Sequence, residues 1–461
     1  MAANYRPVAL TSHVIKIFEK HIRKHIVQHM DDNNLFNQNQ HGFRSGRSCL
    51  SQLLDQYDLV LNMLDEESNV DVIYLDFSKA FDKVDHAIVL NKFKQLGITG
   101  KISNWVESFL TDRHQTVVVN GVKSEPQKVI SGVPQGSVLG PLIFLILLGD
   151  IDKDILQCFV KSFADDTRAT KSIKDANDVN ILQQELEKIY QWTKENNMKL
   201  NDTKFELLRY GPNAVVKEQT HYLSPSGEKI ETKAFVKDLS VLMSDDCVFK
   251  QQINTVYWIE KAKNLISWIL RTFSSRSPTT MITLYKSLVI PIVEYCSVLW
   301  SPSAVSLIQR LEEIQKSFLK QIKGTPRNYW ECLKEMKMYS LQRRRERYRI
   351  IYTWKILEHL VPNVNGGIKF KDNPRLGRKC VLTYAAPKTS KLRHSTLSVQ
   401  GAKLFNAMPK NIRNLKNMSV EKFKNALDTH LKTIPDEPQI HGYTACRRAN
   451  SNSIIDMKTV C

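Results

Sequence analysis

The chain has 461 residues, 42% of them hydrophobic and 25% charged, which is an ordinary composition for a globular protein with a large core. Its eight cysteines are scattered without a Cys-x-x-Cys pair, which argues against a zinc knuckle and favours reduced thiols in the cytosol or nucleus. We find no leader with a charged start, an apolar stretch and a cleavage site, so no secretion signal is expected. The longest apolar run, Leu139 to Leu148, contains Gly140 and Pro141 and is too short to cross a bilayer.

The net charge of +19 is unevenly distributed. Residues 1–300 carry 35 basic and 35 acidic side chains, whereas residues 301–461 carry 31 and 12. The first part therefore suits a site that needs acidic groups, and the second suits a surface for a polyanion such as nucleic acid. A solvated basic tail is the alternative, but frequent apolar residues in 301–461 make it the weaker one.

The first predicted element is an amphipathic helix over residues 12–30. Its apolar residues at helical spacing are Val14, Ile15, Phe18, Ile22 and Ile26. The loop Gln40–Ser48 follows, with two glycines and two arginines ahead of a second helix. A flexible basic loop of this kind suits an incoming triphosphate, and a plain surface loop is an equally good interpretation.

A buried strand is predicted over Asp71–Leu75, and the carboxylate of Asp76 stands at its end. Ligands collect at strand ends that line a cleft in α/β architectures. Phe81 follows Asp76 closely and is a candidate floor under a nucleotide sugar, with core packing as the alternative.

The next part of the chain carries two turn signals. Asn120-Gly121 is typical of a hairpin turn. The segment Ser131–Pro141 then has two glycines and a proline close together, which allows close backbone approach by a ligand. Within it, Gln135 offers an amide that both donates and accepts hydrogen bonds.

Two adjacent carboxylates, Asp165 and Asp166, follow a short apolar run. Neighbouring side chains on a straight strand point to opposite faces, so the two can aim at one spot only at the tip of a β-hairpin. Like charges this close repel unless a cation lies between them and a third ligand. The pair therefore predicts a divalent metal, with Asp76 as the third carboxylate, although most Asp-Asp pairs taken alone are solvated turns.

The remainder of the chain is predicted to be mostly helical. Lys204 is a candidate general acid or phosphate ligand, and a solvated lysine is equally compatible with its spacing. Three helices between residues 251 and 324 form a predicted bundle. The segment Ser340–Arg349 is a basic helix with aromatic neighbours, which suits a phosphate backbone and base stacking. Its candidate nucleic-acid contacts are Arg343, Arg344, Arg345 and Arg347.

Asp76, Asp165 and Asp166 can together hold two Mg²⁺ ions, with Mn²⁺ as the alternative ion. Two such ions activate an attacking hydroxyl and stabilise the leaving oxygen of an in-line phosphoryl displacement. With loops that position a nucleotide, the residues predict a nucleotidyl transferase acting on a polymer.

Six segments in order closely resemble the reverse transcriptase domain of non-LTR (LINE-type) retrotransposons of the Jockey/CR1-like group. Each segment is only moderately specific, but the ordered set is very specific and spans about residues 4–250. The segments are Asn4–Leu10, His41–Ser48, Tyr74–Asp82, Ser131–Pro141, Phe163–Thr167 and Lys199–Gly211. Leu270–Phe273, Glu294–Pro302 and Ser340–Arg349 resemble the thumb and C-terminal region of the same elements.

The resemblance implies an α+β right-hand polymerase that extends a DNA 3′ end on an RNA template. Fingers and palm, with an antiparallel palm sheet, correspond to residues 1–250. A helical thumb corresponds to 251–325, and a basic, mostly helical accessory region to 326–461, with disorder expected after about residue 436. The implied partners are RNA template, DNA primer or target, and deoxynucleoside triphosphates, in the nucleus or cytoplasm and without a membrane.

Residue by residue, the resemblance implies metal binding and catalysis by Asp76, Asp165 and Asp166, and the metal set also includes Phe77. The implied substrate-binding roles fall on five positions. Phe81 matches the gate that excludes a ribose 2′-OH, and Arg44 matches the fingers residue on the triphosphate. Those remaining are Gln135 and Gly136 beside the nucleotide and template, and Lys204 after the palm helix.

The sequence departs from the family in three places. Phe163 stands where many relatives have tyrosine, and Ser240 stands where relatives place a glycine in the primer grip, residues 236–243. The N-terminal endonuclease of full elements is absent, so we expect a chain cut from a longer element and no target nicking.

The alternative hypotheses are a catalytically inactive nucleic-acid-binding remnant and a group II intron-type reverse transcriptase. The lack of an HNH-like His/Cys cluster favours the LINE-type interpretation over the latter.

Overall fold

The computed structural model describes residues 8–66, 69–212, 214–254, 256–363, 368, 390–438 and 451–458. The chain divides into two compact units. The first comprises Met1–Gln52 and Glu67–Ala234, and the second comprises Leu53–Glu66 and Phe235–Cys461. Across these described ranges, no helix is both long enough and apolar enough to cross a membrane. Residues 4–7 of the motif Asn4–Leu10 lie outside the described residues.

The first unit is built on a five-stranded sheet with the order β6-β7-β1-β8-β9. Its strands in chain order are β1 (Asn69–Leu75), β2 (His114–Gln115), β3 (Val118–Val119), β4 (Val122–Lys123), β5 (Gln127–Lys128), β6 (Phe159–Phe163), β7 (Asp166–Ile173), β8 (Glu206–Tyr210) and β9 (Glu231–Lys233). All of β1 except Tyr74 is buried, so this strand takes the centre of the sheet. The pairs β6–β7, β7–β1 and β1–β8 are antiparallel, and β9 adds a parallel edge.

Helices precede and separate these strands along the chain. They are α1 (His13–Asp32), α2 (Cys49–Asp65, divided between the units), α3 (His86–Gln95), α4 (Gly100–Leu110), α5 (Gly140–Leu147), α6 (Ala176–Glu195) and α7 (Ala214–Gln219). Ser12 begins α1, because its side chain accepts from the Ile15 N–H at 3.2 Å. Asp175 begins α6 in the same way. Because α5 is apolar on all sides, it lies inside the core and fixes the loop that precedes it.

A buried ion pair joins the central strand to its neighbour. Arg209 on β8 lies 3.2 Å from the Asp71 carboxylate on β1, and both side chains are 2% exposed. The hydroxyl of Tyr222 donates to the same carboxylate at 2.7 Å. Burial raises the pKa of Asp71, and the charge of Arg209 opposes this shift.

The second unit is mostly helical. It begins with a hairpin of β10 (Phe235–Asp238) and β11 (Val241–Ser244). Its helices are the rest of α2, α8 (Lys250–Asn254), α9 (Val256–Thr272), α10 (Pro278–Leu284), α11 (Ile290–Val293), α12 (Ser297–Trp300), α13 (Val305–Leu319), α14 (Tyr329–Glu335), α15 (Leu341–Leu357), α16 (Ser390–Arg393), α17 (Leu397–Ala407), α18 (Lys410–Arg413), α19 (Val420–Leu431) and α20 (Ile454–Lys458), with a π-helical turn at Tyr285–Val289. The predicted α+β class, an antiparallel sheet followed by a helical remainder, is confirmed.

The β10–β11 hairpin turns at Leu239 and Ser240, whose φ angles are +42° and +68°. Glycine adopts such left-handed angles without steric cost, whereas serine is strained there. This explains why a glycine suits the position of Ser240 and how the departure in the predicted primer grip is accommodated in the backbone.

The second unit is organised around α15. Its Trp354 stacks on Phe423 of α19, with ring centroids 4.3 Å apart. Disorder after about residue 436 stays a prediction; the described residues 451–458 include α20. Ile454 is fully buried there, and its N–H donates to Glu346 at 2.9 Å. The predicted boundaries at residues 250 and 325 stay predictions, and the two units meet in sequence at Ala234 and Phe235.

Candidate active site

The sheet of the first unit brings three acidic positions to one end. β1 ends at Leu75, which pairs with Thr167 of β7. The same antiparallel register, continued by one residue, sets Asp76 opposite Asp166. Asp165 precedes Asp166 in the turn between β6 and β7. The backbone therefore places these carboxylate-bearing residues side by side, as the sequence predicts.

The turn itself is tight. Phe163 pairs with Asp166, so the turn consists of Ala164 and Asp165. Ala164 has a φ of +54°, in the left-handed region. An L-residue with a Cβ is disfavoured there by roughly 1–2 kcal/mol. This sharp reversal lets two neighbouring aspartates emerge at the tip of the hairpin, with Asp165 half-buried and Asp166 exposed.

The side chains at this end do not form a metal-ligand group. Among the residues that the structure describes, no three His, Cys, Asp or Glu side chains come together so that they could hold a metal ion. The predicted metal set, Asp76, Phe77, Asp165 and Asp166, is therefore close along the backbone, but its side chains are not drawn together into such a group in the part of the chain that the structure describes. Phe77 is buried, and its backbone bridges that of Leu200.

The Asp76 carboxylate instead accepts from Lys204, with an Nζ–Oδ2 distance of 3.0 Å. The segment that carries Lys204 is bound to the strand end, because the Asn201 N–H donates to the Asp76 carbonyl at 2.8 Å. The Lys204 side chain is 62% exposed, so the ion pair contributes less than about 1 kcal/mol to stability. The ion pair brings the ammonium group of Lys204 next to the Asp76 carboxylate.

Phe81 lies between the core and the loops. Its ring stacks on Phe144 of α5, with centroids 4.4 Å apart, and meets Phe43 edge-on at 6.0 Å. Phe81 is only partly buried, so packing does not use all of its surface. Its role as a floor under a sugar stays a prediction.

The glycine-containing loop is bound to the segment that follows Phe81. A Cβ on Gly132, whose φ is +86°, would lie 2.7 Å from the Asp82 carbonyl oxygen. The side-chain amide of Gln135 donates to the Asp82 carboxylate at 2.7 Å, and the backbone carbonyl of Gln135 accepts from the Ala9 N–H at 2.7 Å. Gly136 follows with a φ of +102°. Glycines are thus required where the loop turns and approaches other backbone.

Glu19 of α1 contacts the end of the glycine-containing loop, and it was not identified from the sequence. Its carboxylate is fully buried and accepts from the N–H groups of Val138 at 2.6 Å and Leu139 at 2.9 Å. These groups lie just ahead of α5, where a negative charge is favourable. The available signal was an acidic residue inside the apolar stripe of α1, between Ile15 and Ile22.

Arg44 is held within its own loop. Its guanidinium donates to the Asn37 carbonyl at 2.8 Å and lies 4.6 Å from the centroid of the Phe36 ring. Burial lowers the pKa of Arg44, and the charge of Asp31 opposes this shift. Contact with a triphosphate stays a prediction for this residue.

The predicted nucleic-acid contacts on α15 are wrong for its two innermost arginines. Arg343 and Arg345 are 0% and 1% exposed. Arg343 donates to the carbonyls of Ile434, Pro435 and Asn452 at 2.8–3.1 Å. A guanidinium that binds backbone in the interior joins parts of the fold and does not reach a phosphate.

The other two arginines are paired with acids. Arg344 lies 2.9 Å from the Glu294 carboxylate, and Arg347 makes a two-pronged contact with Asp428. These pairs use the donors that would meet phosphate oxygens. The side chains of Arg344 and Arg347 are 21% and 16% exposed, so contact of these two with nucleic acid stays a prediction, and the correction covers the buried Arg343 and Arg345.

Comparisons with known proteins agree with the motifs. Residues 2–226 match the family described as "Reverse transcriptase (RNA-dependent DNA polymerase)". The chain is 28% identical over 333 residues to the probable RNA-directed DNA polymerase from transposon X-element of Drosophila melanogaster. It is 26% identical over 335 residues to the RNA-directed DNA polymerase from mobile element jockey of the same fly. Each match covers 70% of this chain and 36% of the relative, so the chain spans about a third of these proteins.

Solved structures of telomerase are also similar. The telomerase of Candida albicans, in complex with the TWJ fragment of telomeric RNA, has a TM-score of 0.40 and 11% identity, covering 71% of this chain and 59% of that one. The apo telomerase of Candida tropicalis has a TM-score of 0.40 and 9% identity, covering 74% and 53%. The sequence matches carry the comparison: residues 2–226 match the reverse transcriptase family, and the chain is similar to the polymerases of the X-element and jockey transposons of Drosophila.

Proposed function

We propose that this chain is an RNA-directed DNA polymerase of a non-LTR retrotransposon. It extends a DNA 3′ end on an RNA template, with deoxynucleoside triphosphates as substrates. The proposal is supported by the register of β1 and β7: Leu75 pairs with Thr167, so Asp76 follows the end of β1 where Asp165 and Asp166 precede Thr167. Three carboxylate positions at one strand end are what a nucleotidyl transferase needs to hold the cations that stabilise charge on the reacting phosphate.

The proposed cofactor is Mg²⁺, with two ions bound during the reaction. This part rests on the chemistry of the donor set, because Mg²⁺ prefers carboxylate oxygens. When bound, such ions neutralise charge on the reacting phosphate. The ion pair of Lys204 with Asp76 is weak and exposed, so it leaves this carboxylate available to other partners.

The residues proposed to contact the substrate belong to the first unit, as the three carboxylates do. Phe81 would lie under the sugar, with its ring supported by Phe144. Gln135 and Gly136 would lie beside the nucleotide, in a loop whose backbone is fixed by Asp82. Arg44 and Lys204 would meet the phosphates as cations.

Primer extension on an RNA template tests the proposal. Wild-type protein is compared with Asp165→Asn, which keeps the shape of the side chain and removes its charge. Asp154→Asn, an exposed carboxylate ahead of β6, is the matched control. Extension by the wild type and the control, lost in Asp165→Asn, is the expected result.

A specific observation favours the second candidate, a catalytically inactive nucleic-acid-binding remnant. Ser240 stands at a φ of +68° in the predicted primer grip, at a position that suits a glycine. If all three proteins bind RNA in a salt-sensitive manner and none extends a primer, this second function replaces the first.

A further inference from the structure

The turn between β6 and β7 is held from outside by one side chain. The Oε1 atom of Gln40 accepts from the Ala164 N–H at 2.8 Å, and its Nε2 atom donates to the Ala164 carbonyl at 3.1 Å. A primary amide offers an acceptor and a donor side by side, so it can bind both backbone groups of one residue. Gln40 is 6% exposed, so water hardly competes for these hydrogen bonds.

The backbone around Gln40 runs along the edge strand β6. The His41 N–H donates to the Ser162 carbonyl at 2.9 Å, and the Ser162 N–H donates to the Asn39 carbonyl at 3.0 Å. The Oε1 atom of Gln40 also accepts from the Gly42 N–H at 2.8 Å, which fixes the direction of its own loop. The amide is therefore anchored on a rigid segment.

Gly42 allows this segment to reach the turn. A Cβ at Gly42 would lie 2.4 Å from the Ala164 nitrogen and 3.0 Å from its Cα. The contact is thus backbone against backbone, without a side chain between them. Residues 40–42 therefore pack directly against Ala164, although Gln40 and Ala164 are 124 positions apart in sequence.

Ala164 needs such support. Its φ of +54° is a left-handed angle that an alanine adopts only under constraint. Strained residues persist where surrounding contacts determine them, and two buried hydrogen bonds are comparable in size to the strain. Because Asp165 follows directly, the orientation of the Ala164 peptide sets the direction in which its carboxylate leaves the turn.

We propose that Gln40 is a positioning residue for the polymerase reaction, acting by clamping the Ala164 peptide so that Asp165 points toward Asp76. This inference rests on the proposed function for its catalytic consequence. The clamp itself is a property of the fold and is measured separately. A residue that only filled space would be replaceable by a side chain of the same shape.

The test uses three variants of the full chain. Gln40→Met keeps the length of the side chain and removes both hydrogen bonds. Gln40→Glu keeps the acceptor for the Ala164 N–H and removes the donor. Gln38→Met is the matched control, since this exposed glutamine precedes Gln40 by two positions and its amide contacts Arg47 and the backbone of Phe36.

Hydrogen exchange of the Ala164 amide is the first measurement. We expect exchange about tenfold faster in Gln40→Met and near the wild-type rate in Gln38→Met. Gln40→Glu should lie between the two, because it keeps the acceptor for the Ala164 N–H but sets a carboxylate oxygen against the Ala164 carbonyl. General loosening would raise exchange in both Gln40 variants alike. Unchanged exchange in Gln40→Met, or equal acceleration in Gln40→Glu, overturns the clamp.

Steady-state primer extension is the second measurement. We expect kcat to fall by about tenfold in Gln40→Met with the nucleotide KM nearly unchanged, and kcat to stay at the wild-type value in Gln38→Met. Faster exchange with an unchanged kcat overturns the positioning role. If Gln40→Met does not fold, Gln40→Glu decides, with a lower kcat expected and an unchanged kcat overturning the role. If the wild type extends no primer, the proposed function fails, and exchange alone decides the clamp.

Discussion

Replacing Gly42 by alanine moves the turn that carries Asp165 by a predictable amount. The new Cβ would lie 2.4 Å from the Ala164 nitrogen, whereas ordinary contact begins at 3.4 Å, so one segment has to shift by about 1 Å. The neighbouring atom belongs to the backbone, which cannot rotate away as a flexible side chain does. Gly42 is not among the glycines with left-handed φ angles, so alanine adds no backbone strain and the effect is steric.

A displacement of about 1 Å in a reacting group lowers a rate by about 100-fold, or about 2.7 kcal/mol. We therefore expect kcat for primer extension to fall by about 100-fold in Gly42→Ala, with a much smaller change in the nucleotide KM. Overpacking also destabilises the fold by about 1–3 kcal/mol. The domain should still unfold cooperatively, at a lower midpoint.

The assay is single-nucleotide primer extension at saturating nucleotide, with urea unfolding on the same samples. Gly149→Ala is the matched control, because a Cβ there meets nothing within 4 Å and its φ is not left-handed. This control should match the wild type in both measurements. A folded Gly42→Ala protein with the wild-type kcat would refute the link between turn position and catalysis.

Three further predictions follow from contacts in the two units. Lys204→Met should change the free energy of unfolding by less than about 1 kcal/mol while lowering kcat/KM about tenfold, and equal losses in stability and activity would contradict a functional role. Arg209→Met should destabilise by about 3–5 kcal/mol in urea because it leaves Asp71 buried and unpaired, and adding Asp71→Asn should restore most of this. Arg343→Met should lower the melting temperature and leave the salt dependence of RNA binding unchanged, whereas a reduced salt slope would return this arginine to the nucleic-acid surface.

The parts of the site that could be predicted from sequence depend on short-range rules. A buried strand that ends at Asp76 and a hairpin that carries Asp165 and Asp166 follow from side-chain alternation and turn geometry. Once both strands lie in one sheet, the register decides the rest, because Leu75 pairs with Thr167. The sequence therefore predicted which backbone positions meet.

The contacts that hold the site were not predictable in this way. Gln40 contacts Ala164 across 124 positions, and Glu19 contacts Val138 across 119. Nothing in the local pattern distinguishes Gln40 from Gln38, since both are glutamines of one polar loop. Only the packing of that loop on the edge of β6 buries one amide and leaves the other exposed.

The arginines of α15 also depend on long-range contacts that the local sequence does not show. A run of arginines beside aromatic residues predicts a nucleic-acid surface when every side chain is assumed to be exposed. Its acidic and carbonyl partners lie up to 109 positions away, as the contact of Arg343 with Asn452 shows. An isolated buried guanidinium would be costly, but one that is bound to carbonyls or carboxylates is stable in the interior.

This burial does not remove the charge argument for nucleic acid. Each ion pair of α15 joins one cation to one anion, so the net charge of +19 is unchanged by it. Part of the excess lies on basic side chains of residues 301–461 outside α15. Exposed lysines of the described C-terminal helices and their connections are such positions: Lys410, Lys416, Lys422 and Lys432. Charge alone therefore remains compatible with a polyanion partner for this part of the chain, with α15 as an internal support on which α19 packs.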